Sequence, residues 1–292
     1  MKALVTAANC FFGSWLCESL RADGIEVIET SRATLDVRDA GAVLAAVRAA
    51  APDVIYHFAA QSNVTESVRD PLTTMTTNVI GSTNVFEAVR VLGRGRVVSV
   101  GSSAEYGDAA GPVGELAESD RLLPRSPYGV SKATQGQLAR VYARAHGVEV
   151  VHVRPFAIIG PRKRKDAISD FCINVVKIER GELDRLSVGN TAAVRDFVDI
   201  RDAISALRLV GEKGTAGDTY NVCNGIGTPL SQVIELLRAQ VPFTVFSDPA
   251  RQRPVDDMRL VGDPSRIQAL GYSRQYALAD TVAFTLDYWR GQ

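Results

Sequence analysis

The chain has 292 residues, enough for one large α/β domain or for a nucleotide-sized domain with a smaller partner. Its 33 Lys and Arg balance 33 Asp and Glu, which argues against general nucleic-acid binding, because that needs a net basic footprint. Charged residues at 23% and hydrophobic ones at 46% exclude a disordered chain.

The opening MKALVTAANCFFG lacks the basic region and long apolar stretch of a signal peptide. No run reaches the ~18–20 apolar residues of a membrane span. Cys10, Cys17, Cys172 and Cys223 have no CxxC spacing, and His57, His146 and His152 are dispersed. The expectation is a cytosolic protein with free thiols, no disulfide frame and no protein-built metal site.

Taken in order, Lys2–Thr6 reads as a strand and Phe12–Ala22 carries apolar residues at helical spacing. Ile25–Thr30 is a second strand and Ala40–Ala50 the next helix. Asp53–Ala59 and Arg96–Val100 are further strands, separated by a long helical stretch around Thr76–Leu92. Ser126–His146 follows as a helix and Val148–Arg154 as a strand. Near-continuous apolar strands alternating with helices give an α/β chain whose doubly wound parallel sheet is covered on both faces. Beyond Pro155 come a basic loop, a helix at Ser169–Gly181, a strand–turn region (LSVGNTAAVRDFVDI) and a helix near Asp202–Gly211. The strand TYNVC and a helix at Ser231–Ala239 complete the reading. Residues 1–160 are read as a nucleotide-binding domain and 161–292 as a smaller C-terminal substrate-binding domain, some of whose segments return to the sheet.

A strand, a tight turn and a helix at the start of such a sheet seat a dinucleotide's pyrophosphate on helix-terminal amides. The turn runs Thr6, Ala7, Ala8, Asn9, Cys10, Phe11, Phe12, Gly13. Only Gly13 keeps a glycine; Ala7 and Cys10 occupy the other two small-residue positions. Cys10 has two readings, a thiol made reactive by the helix N-terminus or a small residue tolerated in place of glycine, and the second is preferred. The second strand ends at Glu29, followed by Thr30, Ser31 and Arg32. An acidic residue there would bind a ribose 2′-hydroxyl, whereas a hydroxyl and an arginine cradle a 2′-phosphate. Ser31 and Arg32 therefore favour NADP(H), with NAD(H) left open by Glu29.

The run YGVSK, 128–132, opens a helix and puts Tyr128 and Lys132 one turn apart on one face. An ammonium beside a phenol would pull the tyrosine pKa down from ~10, making Tyr128 a proton donor or acceptor near neutrality. Gly101, Ser102 and Ser103 end an upstream strand, where strand C-termini line the ligand crevice. A hydroxyl there can bond the same substrate oxygen that Tyr128 protonates.

With these pieces the chain resembles the extended short-chain dehydrogenase/reductase family, of Rossmann-like fold, and within it the nucleotide-sugar branch. The resemblance runs through LDVRD, HFAAQSNV, NVIGSTNVFEAV, GSSAEYG, SPYGVSK, RPFAIIGPR, VGNTAAVRDFVDIRDA, TYNVCNG and RPVDDMRLVGDPSRI. Within that branch it is nearest to the reductases of GDP-4-keto-6-deoxy sugars and to GDP-mannose 4,6-dehydratases. The resemblance implies Ser103, Tyr128 and Lys132 as the catalytic triad. It implies cofactor contacts from Thr6, Ala7, Asn9, Cys10, Phe11 and Phe12 at the turn and from Asp36 and Val37 at the adenine. Phe58, Ala59, Ala60 and Pro155 would pass beside the cofactor, and Asn78 would support Lys132 through a water. On the substrate side it implies Arg162, Arg195 and Arg253 on the diphosphate, with Glu105 and Asn174 toward the sugar. Only Arg162 is taken from the basic run 162–165; the rest reads as a solvated loop.

The chain departs from the family at Ala7, Cys10 and Ala157, the last replacing an asparagine usual in this branch. The implied activity is NADPH-dependent reduction of the C4 ketone of a GDP-linked keto sugar by a homodimeric enzyme with no nucleic-acid or membrane partner. A 4-epimerase or a 4,6-dehydratase with retained NAD are the alternatives, and a nucleotide-sensing protein on the same fold is the non-enzymatic one. Glu105 lies one residue out of step with the dehydratase pattern, so it is discounted as a base toward C5.

Overall fold

Runs such as RVVSV and EVVHVRP are apolar on both faces of a strand, which only the middle of a covered sheet accommodates. In the computed structural model, which describes residues 1–109, 114–251 and 258–292, they lie side by side, with Val97 opposite Val150 and Val98 opposite Val151. The first half alternates β1 (Lys2–Thr6), α1 (Phe11–Ala22), β2 (Glu26–Glu29), α2 (Ala40–Ala50) and β3 (Val54–His57). Short helices α3 (Val64–Arg69) and α4 (Pro71–Met75) lead to α5 (Gly81–Leu92), and β4 (Arg96–Val100), α6 (Pro127–His146) and β5 (Glu149–Pro155) follow.

β6 (Ala157–Ile159), α7 (Ala167–Glu179), β7 (Arg185–Val188), β8 (Val194–Asp199) and α8 (Ile200–Lys213) come next. The chain closes with β9 (Thr219–Val222), β10 (Gly227–Pro229), α9 (Leu230–Arg238), β11 (Thr244–Ser247), β12 (Arg259–Leu260), α10 (Ser265–Ala269) and α11 (Leu278–Arg290). Six strands form the main sheet in the order β2-β1-β3-β4-β5-β9, every pair parallel. The doubly wound expectation holds. The winding reverses between β1 and β3, and in open α/β sheets the ligand crevice opens at such a reversal, beyond the strand C-termini.

Each face has its own core. Leu16, Cys17 and Leu20 of α1 and Ile204, Leu207 and Val210 of α8 cover one side. Val43 and Val47 of α2, Val85, Phe86 and Val89 of α5 and Tyr142 of α6 cover the other. A third core joins α7, α9 and α11 over β7 and β8 in the second half. There β8 pairs with β6, β10 and β12, while β9 crosses back to complete the main sheet beside β5.

The single helix expected around Thr76–Leu92 is divided. A π-helical turn at Thr76–Ile80 precedes α5, and such turns are inserted where a side chain must be re-aimed. Gly81 then brings α5 against the loop after β2; a Cβ there would lie 2.7 Å from Val37 Cγ2. Among the described residues, no helix is long and apolar enough to cross a membrane.

Candidate active site

β1 delivers the chain to the turn that opens α1. Ala7 sits at φ 51°, the left-handed region that disfavours a Cβ by roughly 1–2 kcal/mol. Cys10, at φ −78°, has no need of glycine, and its Sγ caps the helix by accepting from the Gly13 amide at 3.2 Å. Gly13 cannot be replaced cheaply: a Cβ there would lie 2.7 Å from the Ala7 and Ala8 carbonyl oxygens. Burial pushes the Cys10 thiol up, opposed by hydrogen bonds from the Gly13 and Phe12 amides. A raised thiol and an Sγ engaged in the cap favour the small-residue reading of Cys10.

Phe11 and Phe12 provide amides of the first helical turn, which have no acceptor within the helix and form an anion seat with its dipole. Asn9 is exposed at the apex of the turn. Thr6 ties the crevice floor together, its Oγ1 accepting from the Phe58 and Ala59 amides at 3.0 Å each. The Phe12 ring stacks on Phe58 at 5.8 Å. Ala60 continues the same strand end, and Pro155 is buried at the end of β5.

At the other end of the turn, Glu29 is paired with Arg21 at 2.6 Å. Ser31 is half-buried and Arg32 exposed. Asp36 is gripped by Arg38, whose Nε lies 2.9 Å from Oδ1, and this holds the carboxyl down at about 2. The Val37 carbonyl accepts from Asn84 at 2.9 Å.

Two serines stand where the triad hydroxyl is expected. Beyond β4, Ser102 is extended and accepts from the Ala104 amide at 3.1 Å, capping a 3₁₀ turn at Ser103–Glu105. Ser126 caps α6 by accepting from Gly129 at 3.1 Å, with Pro127 at the first helical position. Gly129 lets α6 approach that turn, since a Cβ would lie 2.5 Å from the Ala104 carbonyl oxygen. The close approach brings the Tyr128 phenol near Ser102, which acts on its acidity against burial. Ser103, expected as the triad hydroxyl, is buried one residue along in the 3₁₀ turn.

Tyr128 is also not lowered as expected. Burial raises its phenol to about 12, Ser102 opposes this, and the Glu105 charge adds to it. Lys132 directs its ammonium elsewhere, donating to the Val100 carbonyl at 2.7 Å and to Gln135 Oε1 at 2.9 Å. Burial brings the ammonium down to about 8 against the attraction of Glu105.

Glu105 is not on the sugar side. It is fully buried. Its Oε1 takes the Ser102 amide at 3.0 Å and His152 Nε2 at 2.9 Å, while Oε2 takes Arg154 Nε at 2.7 Å. Burial alone would raise this carboxyl, but His152 and Arg154 hold it below the ordinary range. Asn78, in the π turn, is tied directly to the helix of Lys132. Its amide donates to Ser131 Oγ at 2.9 Å and its Oδ1 accepts from Gln61 N at 2.7 Å.

On the substrate side, Arg162 makes a forked pair with Glu18 at 2.5 and 3.1 Å and lies over the Trp15 ring at 4.7 Å. In the basic run, Arg162, Arg164 and Lys165 are exposed and Lys163 is half-buried, as a loop mostly in solvent implies. Lys163 donates to the Ile158 carbonyl at 2.6 Å and lies 5.7 Å from the Phe11 ring, and Arg164 lies 4.8 Å from the Trp289 ring. Asn174 is half-buried on α7. Arg195, on β8, donates to the Val194 carbonyl at 2.9 Å, and Arg253 lies outside the described residues. Ala157 starts β6 and offers no side-chain polar group.

The structure thus brings Tyr128, Lys132 and the end of β4 together as expected, and adds Ser99, Ser102, Gln135, His152 and Arg154, which sequence reasoning passed over. A doublet of serines gave the only local signal for Ser102. Nothing local marks the other four, because their partners are distant in the chain.

Comparison with known proteins bears on the same region. The chain is 32% identical over 247 residues to the GDP-6-deoxy-D-mannose reductase of Pseudomonas aeruginosa, covering 82% of this chain and 81% of that one. It is similar in structure to RMD from Pseudomonas aeruginosa complexed with NADPH, with TM-score 0.90, 29% identity and 99% of each chain covered. The Thermus thermophilus UDP-glucose 4-epimerase in complex with NAD matches with TM-score 0.90 and 27% identity over 100% of this chain and 99% of that one. Residues 3–223, which include the turn, Ser102, Tyr128 and Lys132, match the NAD dependent epimerase/dehydratase family, and the chain belongs to that family.

Proposed function

We propose that the chain is an NADPH-dependent 4-ketoreductase acting on a GDP-4-keto-6-deoxy sugar. The observation that carries this reading is the Tyr128 phenol beside Ser102, with the Lys132 ammonium anchored on the same helix. Bound NADPH would supply the hydride to the ketone carbon. Tyr128 donates its proton to the oxygen as negative charge develops there; a phenol raised by burial stays protonated at neutral pH and is ready to donate. The Ser102 hydroxyl steadies that oxygen. Lys132 uses two N–H groups on Val100 and Gln135 and keeps its third for the nicotinamide ribose.

The amides at Phe11 and Phe12 hold the pyrophosphate, with the small side chains of Ala7 and Cys10 beside them. Thr6, Asn9 and the Phe58–Ala60 backbone line that path, and Asp36 and Val37 flank the adenine. Ser31 and Arg32 take the 2′-phosphate, a choice favoured by the engagement of Glu29 with Arg21. Arg195, Arg253 and Asn174 serve the nucleotide sugar, with residues 1–160 chiefly holding cofactor and 161–292 chiefly substrate. Arg162 joins the diphosphate only by leaving Glu18.

A dehydratase needs a further group to remove the C5 proton, and Glu105 offers no uncommitted carboxylate oxygen for it. A 4-epimerase with retained NAD would use the same Tyr128, Ser102 and Lys132, whereas a sensing protein would need none of them. Exposed Ile80 and Val91 by α5 and Val130 and Val141 on α6 support a homodimer across those helices. The free thiols fit a reducing, cytosolic setting, and the balanced charge fits the lack of a nucleic-acid partner.

Loss of dihydronicotinamide absorbance is the test, with GDP-4-keto-6-deoxymannose as substrate and NADPH and NADH in parallel. Substrate-dependent oxidation, faster with NADPH, is expected. No oxidation, with NAD retained in the purified protein, replaces this reading by the epimerase. Turnover that survives Tyr128→Phe nearly unchanged refutes the mechanism.

A further inference from the structure

Behind the reacting groups runs a buried file of side chains from α6, β4, β5 and the 3₁₀ turn after β4. Lys132 Nζ lies 2.9 Å from Gln135 Oε1, and Gln135 Nε2 lies 2.9 Å from Ser99 Oγ. Ser99 Oγ lies 3.2 Å from His152 Nδ1, and His152 Nε2 lies 2.9 Å from Glu105 Oε1. All five residues are buried, none more than 3% exposed. The two ends fix the direction of the bonds next to them. An ammonium only donates and a carboxylate only accepts, so Gln135 must present its oxygen to Lys132 and its N–H to Ser99. Ser99 bonds Nδ1 of His152, and because the carboxylate can only accept, His152 donates from Nε2 to Glu105.

The surroundings are shaped to this file. Gly101 and Gly136 flank the His152 ring: a Cβ on Gly136 would lie 2.8 Å from Nε2, and one on Gly101 would overlap both Nε2 and Glu105 Oε1. At its far end Glu105 also holds the Ser102 amide, so one file ends on the lysine of the site and on the backbone of its serine. Gln135 stops it from conducting a proton, because a neutral amide cannot pass one along without becoming an imidic acid. Aligned hydrogen bonds polarise one another, so the file acts by position and electrostatics.

We propose that Gln135, Ser99 and His152 are positioning residues that set the Lys132 ammonium and, through Glu105, Ser102. The inference deepens the ketoreductase reading and rests on it for its kinetic arm only. The charged and titratable groups that bear on Lys132 are Glu105 beyond β4, His57 at the end of β3, Tyr128 on its own helix, and His152 and Arg154 on β5. Of the three groups within the file, only Ser99 can be cut out with almost no change of volume.

Two measurements test it. The first is a ¹⁵N imidazole spectrum of the whole protein, whose three histidines are assigned by substitution. A proton on His152 Nε2 is expected; an Nε2 that carries no proton overturns the file whether or not the protein turns over any sugar. The second is Ser99→Ala, with His152→Gln as the conservative partner and His152→Leu as the disruptive one. Ser99→Ala touches neither Lys132 nor Ser102, yet kcat is expected to fall about ten-fold, on the scale of one buried hydrogen bond. Its alkaline limb moves to lower pH, as the ammonium loses support, while the KM for the sugar stays within about two-fold. His152→Gln, which can accept from Ser99 and donate to Glu105, recovers most of this and His152→Leu does not. If Ser99→Ala keeps the wild-type kcat and pH profile, the positioning role is wrong even where the wild type is an active reductase. A wild type without turnover refutes the ketoreductase reading, and the histidine spectrum still decides the file.

Discussion

Arg21 Nη1 lies 2.6 Å from Glu29 Oε1, so the acid that closes β2 is held on α1 while Arg32 stands exposed beyond the strand. The arrangement favours a cofactor that carries negative charge at the ribose. Arg32→Ala is expected to weaken NADPH binding by about ten-fold, the worth of one charged hydrogen bond, and to leave NADH within about two-fold. Titration of nicotinamide fluorescence checks this; equal losses for both cofactors would remove Arg32 from the 2′-phosphate.

Ala7 holds a left-handed conformation at φ 51°. Glycine relieves the Cβ strain of roughly 1–2 kcal/mol, and its extra freedom in the unfolded chain returns about 0.4–1 kcal/mol of that. Ala7→Gly should therefore stabilise the protein slightly, raising Tm by a few degrees at most, about 2–4 °C per kcal/mol for a chain near this size. Differential scanning calorimetry decides it; a lower Tm means that the Ala7 Cβ makes contacts worth more than the strain.

Ser102 and Ser103 are adjacent, and Ser102 is the one that bears on the acidity of the phenol. Removing one hydrogen-bond donor to a developing oxyanion costs on the order of 10²–10³ in kcat. Ser102→Ala should lose rate on that scale, whereas Ser103→Ala should stay within a few-fold. Steady-state kinetics on both variants tests the assignment, and the reverse order would restore Ser103.

Lys132 titrates at about 8 because burial disfavours its charge. The charged form is the one that donates to the cofactor ribose, so kcat/KM, which reports the free enzyme, should fall as pH rises through about 8. A flat profile from pH ~7 to ~9.5, well short of the ordinary lysine value of ~10.4, would contradict the depressed ammonium.

Glu105 lies below its ordinary pKa in the folded protein, so the sign is that of a paired acid. Its contribution to stability is full above the unfolded value near ~4.3 and is lost as pH falls through the folded one. Glu105→Gln removes the charge at every pH, leaving Arg154 buried without its partner, which costs about 3–5 kcal/mol. Urea denaturation at neutral and acid pH should show a large deficit for the variant at pH ~7 that narrows as the wild type is acidified below ~4. A constant deficit would mean that the charge of Glu105 is not what stabilises the fold.

The doubly wound parallel sheet was legible in the sequence because near-continuous apolar runs alternating with helical periodicity need a sheet covered on both faces; the order of its strands came only with the structure. The cofactor turn, Tyr128 and Lys132 were legible because their roles depend on spacing along a single turn or helix, which is a local quantity. The choice of Ser102 over Ser103 depends on where α6 meets the turn after β4, a contact set by Gly129 against Ala104 across the chain. Arg162 was read as a phosphate anchor from its neighbours in sequence, yet its partners Glu18 and Trp15 are brought to it by the packing of α1. Glu105, His152, Gln135 and Ser99 are ordinary residues in the linear text. They become one unit only because β4, β5 and α6 press their polar side chains into a dry interior. There each donor must find an acceptor, and only the folded geometry says which.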